Sequence, residues 1–262
     1  MVEFESNKGD EMAVTILGLK ESEHNATDTV AVMTANQWLA RITELFLTER
    51  SFQQSIGISE VGSDCRKCVA RKLSGMPKKP EGAWYPFIGT AVHQALEDGF
   101  GSREWSADYM LEERLFVHEY KSLKLGGSCD MAAVTVNGRV VVNDWKVVGE
   151  RALREASNGK IKDQYHIQAM LYGYGWAQKG HNVSHVALTF LPRDKDLTEA
   201  QVVMLRYDEQ VAKDALKALE VMIDAAEIVG WDAVIEKQPK AGFCFDCKKY
   251  EQNEIGDVSS LI

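Results

Sequence analysis

Two acids and a lysine stand near the ends of two predicted strands in the middle of the chain. Asp144 and Lys146 follow the apolar run of "RVVVNDWKVV", and Asp130 lies in "LGGSCDMAAVTV". Side chains alternate along a strand, so Asp144 and Lys146 point to one face and Trp145 to the other. A buried charge is costly unless it is paired or bound to a metal. The pattern therefore indicates a site where an acid and an amine act together.

The loop between these strands decides whether the two aspartates meet. The Asn-Gly pair at 137–138 is a strong hairpin signal. A two-residue turn would leave the aspartates on opposite faces, whereas a three-residue loop pairs Thr135 with Arg139 and sets Asp130 opposite Asp144. Like charges so placed repel unless a cation lies between them. We predict the three-residue loop, with Mg²⁺ or Mn²⁺ between the carboxylates.

Four of the five cysteines form two C-x-x-C pairs, Cys65 with Cys68 and Cys244 with Cys247. A chain of this length without a secretion signal is not a typical disulfide scaffold. We expect the four thiolates to bind one metal site that joins the two ends of the fold. We interpret the fifth cysteine, Cys129, as a small buried apolar residue.

The composition of the 262 residues is that of an ordinary globular protein, 45% hydrophobic and 26% charged. No apolar run approaches the ~20 residues of a membrane span, and the polar, acidic start is not a targeting peptide. The net charge of −9 argues against a protein that coats nucleic acid non-specifically. We expect a soluble cytoplasmic protein with no membrane partner.

The densest basic stretch accompanies the first cysteine pair. "CRKCVARKL" is predicted to be a helix that Ser63 and Asp64 cap and Gly75 ends. Its basic residues and those that follow as far as Lys79 favour a solvated helix face, and a phosphate-binding track is the alternative.

The remaining elements alternate between helices and strands, which predicts a mixed α/β domain. After a helix over "IGTAVHQALEDGF", the strands "EERLFVHEY", "LGGSCDMAAVTV" and "RVVVNDWKVV" precede a helix over "IKDQYHIQAMLYGYGWAQ". Two strands, "HVALTFLP" and "QVVMLRYD", and a long helix capped by Asp208 complete the order. His93 and Glu97 share a face of one helix, as Gln168 and Tyr172 do on another.

Read in order, these motifs resemble the RecB-like branch of the PD-(D/E)xK nuclease superfamily. The resemblance is strongest to the CRISPR-associated iron–sulfur exonucleases and their stand-alone phage relatives. It rests on "GTAVHQALE" with His93, "GGSCD" with Asp130, "DWK" with Asp144 and Lys146, and "QAMLY" with Gln168 and Tyr172. It implies a restriction-endonuclease-like α/β core over residues 59–250. A helical N-terminal segment of unassigned role, 1–58, would precede this core, and a tail, 251–262, would follow it.

The resemblance also implies a divalent metal site. His93, Asp130 and Asp144 would ligate Mg²⁺ or Mn²⁺, helped by the backbone carbonyl of Trp145. The ion would activate water and polarise the scissile phosphate. Lys146 would orient that water or neutralise charge that develops in the transition state.

The other implied roles concern DNA and the cysteines. Gln168 and Tyr172 would contact the DNA backbone or support the site. The iron–sulfur relatives carry one cysteine before the core and three after it, whereas this chain divides them two and two. The resemblance favours a [4Fe–4S] cluster and the C-x-x-C spacing favours structural Zn²⁺. We take the cluster as the expectation, with zinc as the alternative.

The expected function is that of a metal-dependent DNA exonuclease. It would act on single-stranded or other free ends in recombination, repair or phage DNA processing, in a bacterial or phage-infected cell. The chain has no P-loop, so a helicase partner would be a separate chain. The alternative is a non-catalytic nucleic-acid-binding or adaptor module, and the intact Asp130, Asp144 and Lys146 count against it. The oligomeric state is left open.

Overall fold

The computed structural model describes residues 55–78, 84–101, 109–135 and 137–254. Residues 53–79 and 85–262 form one compact unit. A second unit, 1–52 with 80–84, lies outside the described residues except for Trp84. The predicted N-terminal segment, 1–58, and tail, 251–262, thus fall largely outside them too, and these domain boundaries stay a prediction. No described helix is both long and apolar enough to cross a membrane.

The predicted helices and strands occur in the predicted order, and the structure adds four helices that the sequence patterns did not predict. The helices are α1 (Ile58–Val61), α2 (Arg66–Leu73), α3 (Trp84–Gly101), α4 (Glu150–Ser157), α5 (Asp163–Gln178), α6 (Glu209–Val229), α7 (Trp231–Lys237) and α8 (Phe245–Glu254). The strands are β1 (Tyr109–Tyr120), β2 (Leu123–Val134), β3 (Val140–Val148), β4 (Val183–Pro192) and β5 (Gln201–Arg206). Asp208 caps α6 as predicted, because its carboxylate accepts from the backbone N–H of Gln210 at 2.9 Å.

The five strands form one mixed sheet in the order β1-β2-β3-β4-β5. The first three form an antiparallel meander, β3 and β4 run parallel, and β5 pairs antiparallel to β4. A parallel pair needs a crossover connection, which α4 and α5 supply here. The predicted α/β class, a mixed sheet flanked by helices, is confirmed.

Helix α5 is the central helix of the core. It contacts β1, β3 and β4 on one side and α6 on the other, so it is apolar around most of its circumference. Leu171 and Trp176 are among its fully buried residues. A Cβ at Gly173 would lie 2.8 Å from the Tyr207 ring. This close packing holds α5, and the polar side chains it carries, against β3.

The β2–β3 hairpin has the predicted three-residue loop. The backbone N–H of Thr135 donates to the carbonyl of Arg139 at 2.7 Å, and Gly138 adopts a left-handed φ of 70°. The antiparallel ladder continues in this register and ends one pair before the aspartates. One further step sets Asp130 opposite Asp144, so the predicted register is confirmed.

Two local predictions about α2 are wrong. Cys65 precedes the helix without any side-chain cap, and the Ser63 hydroxyl instead accepts from the backbone N–H of Cys65 at 3.3 Å. Arg71 and Lys72 are buried rather than solvated. Lys72 pairs with Glu60 at 2.5 Å, because a buried ammonium needs a carboxylate. The predicted helix stop is confirmed, with Gly75 at φ 75° just after the helix.

Candidate active site and four-cysteine centre

A cavity of about 320 Å³ lies where β2 and β3 stop pairing. Residues from α3, β2, β3 and α5 line it. All the residues predicted for the acid site are among them: His93, Asp130, Asp144, Trp145, Lys146, Gln168 and Tyr172. The fold therefore brings together, from four elements, the residues that the sequence motifs singled out.

Asp144, Lys146 and Gln168 form a connected polar group. The Lys146 ammonium lies 2.5 Å from Asp144 Oδ2 and donates to Gln168 Oε1 at 2.7 Å. The amide nitrogen of Gln168 donates to Asp144 Oδ1 at 3.3 Å. Lys146 is the close partner of Oδ2, a buried oxygen that has no further hydrogen-bond partner among the described residues. Gln168 thus holds both charged groups at once.

The charge of Lys146 does not fully offset the effect of burial on the pKa of Asp144. Burial raises the pKa of Asp144, Lys146 opposes that effect, and the neighbouring Asp130 adds to it. Asp144 as a whole is only 3% exposed. Two neighbouring carboxylates, one of them buried, are the kind of oxygen donors that Mg²⁺ and Mn²⁺ prefer. The residues present therefore fit a divalent cation.

Asp130 connects α3 to the sheet. Its Oδ1 lies 2.9 Å from His93 Nδ1, and its Oδ2 accepts from the backbone N–H of Trp145 at 2.6 Å. The hydrogen bond to Asp130 raises the pKa of His93, against the opposing effect of burial. The Trp145 indole meets the His93 ring edge-on at 5.9 Å and stacks on Phe100 at 5.8 Å. These contacts position His93 on α3.

The predicted metal ligands share the cavity but are not drawn into one tight cluster. Within the described ranges, only the four cysteines form a group of three or more His, Cys, Asp or Glu side chains whose ligand atoms lie near enough to hold one metal ion. His93 and Asp130 bond to each other, and Asp144 bonds to Gln168. Ligation by all three, together with the Trp145 carbonyl, stays a prediction.

Several residues in the cavity or beside it do not follow from the sequence motifs. Tyr165 lies with its ring centroid 5.1 Å from the Lys146 ammonium, in a cation–π contact. A signal for it existed, because Tyr165 is three residues before Gln168 and so shares its helix face. Gln94 and Ser128 line the cavity, as does Glu97, which shares the helix face of His93.

Two further residues near the acids are deeply buried. Tyr172 is 6% exposed, and burial raises the pKa of its hydroxyl. Cys129 is completely buried, and burial raises the pKa of its thiol to about 12. The interpretation of Cys129 as a buried apolar residue is confirmed.

The four paired cysteines meet at one point between α2 and α8. The Sγ–Sγ distances are 3.5 Å for Cys65 and Cys247, 3.4 Å for Cys68 and Cys247, and 3.7 Å for Cys68 and Cys244. All four sulfurs lie within 4.8 Å of one another. The prediction that the two pairs converge and join the ends of the fold is confirmed.

The surroundings of this centre bear on how its thiols ionise. Burial disfavours a thiolate at Cys65, but backbone N–H groups of Ala241 and Cys68 donate to its sulfur and bring its pKa down to about 7. Burial raises the pKa of Cys68, and it raises that of Cys247 to about 11. Thiolates are the metal-binding form, so a cation is the group that would ionise all four.

The chain is similar to several solved exonuclease structures. An alkaline exonuclease from Laribacter hongkongensis matches at 14% identity and a TM-score of 0.42, over 74% of this chain and 95% of that chain. Its complex with dAMP matches at 12% identity, a TM-score of 0.45 and the same coverage. A phage-related exonuclease from Haemophilus somnus 129PT matches at 15% identity and a TM-score of 0.46, over 70% and 96%.

No protein-family model and no curated protein matches the sequence. At these low identities, the likeness to these structures is one of fold.

Proposed function

We propose that this chain is a divalent-metal-dependent deoxyribonuclease that removes nucleotides from DNA ends. The observation that supports it is the group of Asp144, Lys146 and Gln168, bonded to one another beside Asp130 in a single cavity. Taking two carboxylates and an amine largely out of water costs folding free energy. A functional role therefore explains these residues better than a contribution to stability does. Hydrolysis of a phosphodiester needs such a combination of cation site and fixed amine.

Asp130, Asp144 and His93 are the residues that would hold Mg²⁺ or Mn²⁺. The bound ion would supply Lewis-acid polarisation of the phosphate and a lower pKa for water. The imidazole of His93 makes Mn²⁺ a suitable alternative to Mg²⁺. Trp145 would contribute its backbone carbonyl and also fixes the orientation of the His93 ring through the edge-on contact.

Lys146 is the residue that meets the phosphate in this proposal. Its ammonium donates to the attacking water or to a phosphate oxygen, and so neutralises charge as the water oxygen bonds to phosphorus and the leaving oxygen departs. Gln168 keeps the ammonium in one direction by accepting from it at 2.7 Å. The Tyr165 ring contributes a cation–π contact to the same ammonium. Little reorganisation is then needed during the reaction.

The volume of the cavity favours a substrate whose terminal nucleotide is unpaired. About 320 Å³ is near the lower limit for a small-ligand site, and a terminal nucleotide separated from its partner suits that volume better than stacked base pairs. We therefore propose action at single-stranded ends, in recombination, repair or phage DNA processing. Duplex substrate would have to be opened by another protein, such as a helicase.

The test is degradation of end-labelled linear single-stranded DNA beside a closed circle of the same sequence, with Mg²⁺, with Mn²⁺ and with neither. Lys146→Ala is the inactive variant. Lys124→Ala is its matched control, because that lysine is 75% exposed and pairs only loosely with Glu119. We expect the linear strand alone to be degraded, only with metal, and a loss of about 10²-fold or more in Lys146→Ala alone.

Two results would contradict the proposal. If neither DNA is degraded with either metal, the chain is a binding or adaptor module rather than a nuclease. If Lys146→Ala is as active as Lys124→Ala, the active site is not this cavity.

A further inference from the structure

The spacing of the four cysteine sulfurs identifies the kind of metal group they can hold. Four thiolates around one tetrahedral Zn²⁺, each at about 2.3 Å from the ion, have their sulfurs roughly 3.8 Å apart. Three of the six Sγ–Sγ distances here are 3.4, 3.5 and 3.7 Å, and no pair is further apart than 4.8 Å. The sulfurs therefore form a group of the size that a single ion requires.

An iron–sulfur cluster needs a wider arrangement. In a [4Fe–4S] cluster each thiolate binds a different iron, and the irons are bridged by inorganic sulfide. Each thiolate sulfur is then bonded to its own iron on the outside of the cluster, so the four sulfurs must stand further apart than around a single ion. These cysteines leave no such space, because Cys65 and Cys247 are each 1% exposed and Tyr250, also 1% exposed, packs against them.

We infer that the four-cysteine centre holds one structural Zn²⁺ ion and no iron–sulfur cluster. The residues do not fit the cluster that the sequence resemblance implies, and they fit the alternative. The two-and-two division of the cysteines agrees with this assignment, because two C-x-x-C knuckles are the usual ligands of structural zinc.

The ion would close the fold and take no part in catalysis. Four protein thiolates leave no open coordination position for water or substrate. The ligands are 176 to 182 residues apart across the centre, so the ion ties the N-terminal cysteine pair before and within α2 to the C-terminal pair near α8. None of the four cysteines lines the acid cavity. The inference is therefore independent of the proposed nuclease activity.

The experiment measures metal, sulfide and colour in the full chain. The protein is purified without oxygen from cells grown with both iron and zinc, and zinc, iron and acid-labile sulfide are determined per chain. We expect about one zinc per chain, no sulfide and no visible absorption. Iron with sulfide and a visible absorption band would overturn the inference, as would protein that contains neither metal.

The zinc content of cysteine variants tests whether these four thiolates hold the ion. Cys244→His should keep about one zinc per chain, because Cys₃His is a common zinc ligand set and Cys244 is the least buried of the four. Cys129→Ala, which removes the cysteine outside the centre, should keep it as well. Cys68→Ser combined with Cys247→Ser should lose it. Full zinc retention in that double variant, or zinc loss in Cys129→Ala, would overturn the assignment even if the wild type contains zinc.

Discussion

The carboxylate of Asp144 and the ammonium of Lys146 lie 2.5 Å apart on one face of β3. Asp144 is buried and Lys146 is half-buried, with side chains 4% and 14% exposed. Removing two charges from water costs more than their attraction returns unless further hydrogen bonds satisfy them. Gln168 provides one such bond to each partner. The pair is therefore better explained by a role in the site than by a contribution to stability.

Replacing Gln168 tests whether it positions this pair. Gln168→Leu keeps the volume and removes both hydrogen bonds, so we expect the nuclease rate to fall roughly 10- to 100-fold as the ammonium loses its fixed direction. The free energy of unfolding should fall by about 1–3 kcal/mol, because buried polar groups lose partners. Steady-state degradation and urea unfolding measure the two effects.

Gln178, on the same helix, is the matched control for that variant. Its side-chain amide donates to the Val117 carbonyl at 2.8 Å, away from the cavity. Gln178→Leu should also lower stability but leave the rate unchanged. Equal losses of rate in the two variants would show that Gln168 acts only through stability.

Divalent metal should stabilise the protein through Asp144. An ion present at about 100 times its dissociation constant adds about 2.7 kcal/mol to the free energy of unfolding, or roughly 5–10 °C in melting temperature for a chain of this size. Asp144→Asn should abolish this shift, because the amide is a neutral and weaker ligand. Thermal melts with and without Mn²⁺, in buffer free of chelator, provide the measurement.

A surface acid offers the control for the metal experiment. Asp224 accepts from Tyr120 at 2.7 Å and from Lys121 at 2.6 Å, on α6 and away from the cavity. The melting temperature of Asp224→Asn should rise with Mn²⁺ by the same amount as that of the unmutated protein. If Asp144→Asn keeps the shift as well, the ion binds elsewhere.

The C-terminal helix α8 should contribute strongly to stability through Tyr250. This side chain is 1% exposed, and the Arg71 guanidinium lies 5.4 Å from its ring centroid. Tyr250→Ala should lower the free energy of unfolding by about 3–5 kcal/mol through the cavity it leaves. Tyr250→Phe keeps the ring and should cost less than about 1.5 kcal/mol. Equal unfolding midpoints in urea for the two variants would contradict a role for ring packing.

A close approach between α1 and α5 should make Gly62 sensitive to substitution. A Cβ there would lie 2.8 Å from Ile167 Cβ and 3.0 Å from the backbone of Gln164. Because backbone cannot move aside easily, Gly62→Ala should cost about 1–3 kcal/mol and displace α5, which carries Gln168. We expect lower stability and a lower nuclease rate, measured together.

Gly89 is the matched glycine for that comparison, since a Cβ there meets no atom of the described residues within 4 Å. Gly89→Ala should be neutral or stabilising by up to about 1 kcal/mol, as alanine is the better helix former. A Gly62→Ala protein as stable and as active as Gly89→Ala would mean that α1 adapts without moving α5.

Local sequence determined the features that depend on neighbouring residues. The Asn-Gly pair at 137–138 predicted the loop and therefore the register that sets Asp130 opposite Asp144, because turn chemistry determines how a hairpin pairs. Helical periodicity placed Gln168 and Tyr172 on the face of α5 that lines the cavity. These inferences needed no knowledge of the rest of the chain.

Burial was not predictable from local sequence. The basic run in α2 favoured a solvated face, yet Arg71 and Lys72 are buried because Tyr250 and Glu60 meet them from other parts of the chain. Tyr165 escaped notice because its contact with Lys146 depends on how α5 packs on β3.

The sequence by itself thus determined the five strands, four of the eight described helices, the hairpin register, the acid and lysine motif and the two cysteine pairs, all of which follow from spacing along the chain. Only the tertiary structure decided that β3 and β4 run parallel, that His93 reaches Asp130, and that the four sulfurs lie within 4.8 Å of one another. Those distances depend on how distant segments pack, and packing is set by the whole core rather than by any local pattern. The cysteines illustrate this point. Their C-x-x-C spacing is compatible with zinc or with an iron–sulfur cluster, and we infer from the short distances between the sulfurs that they hold zinc.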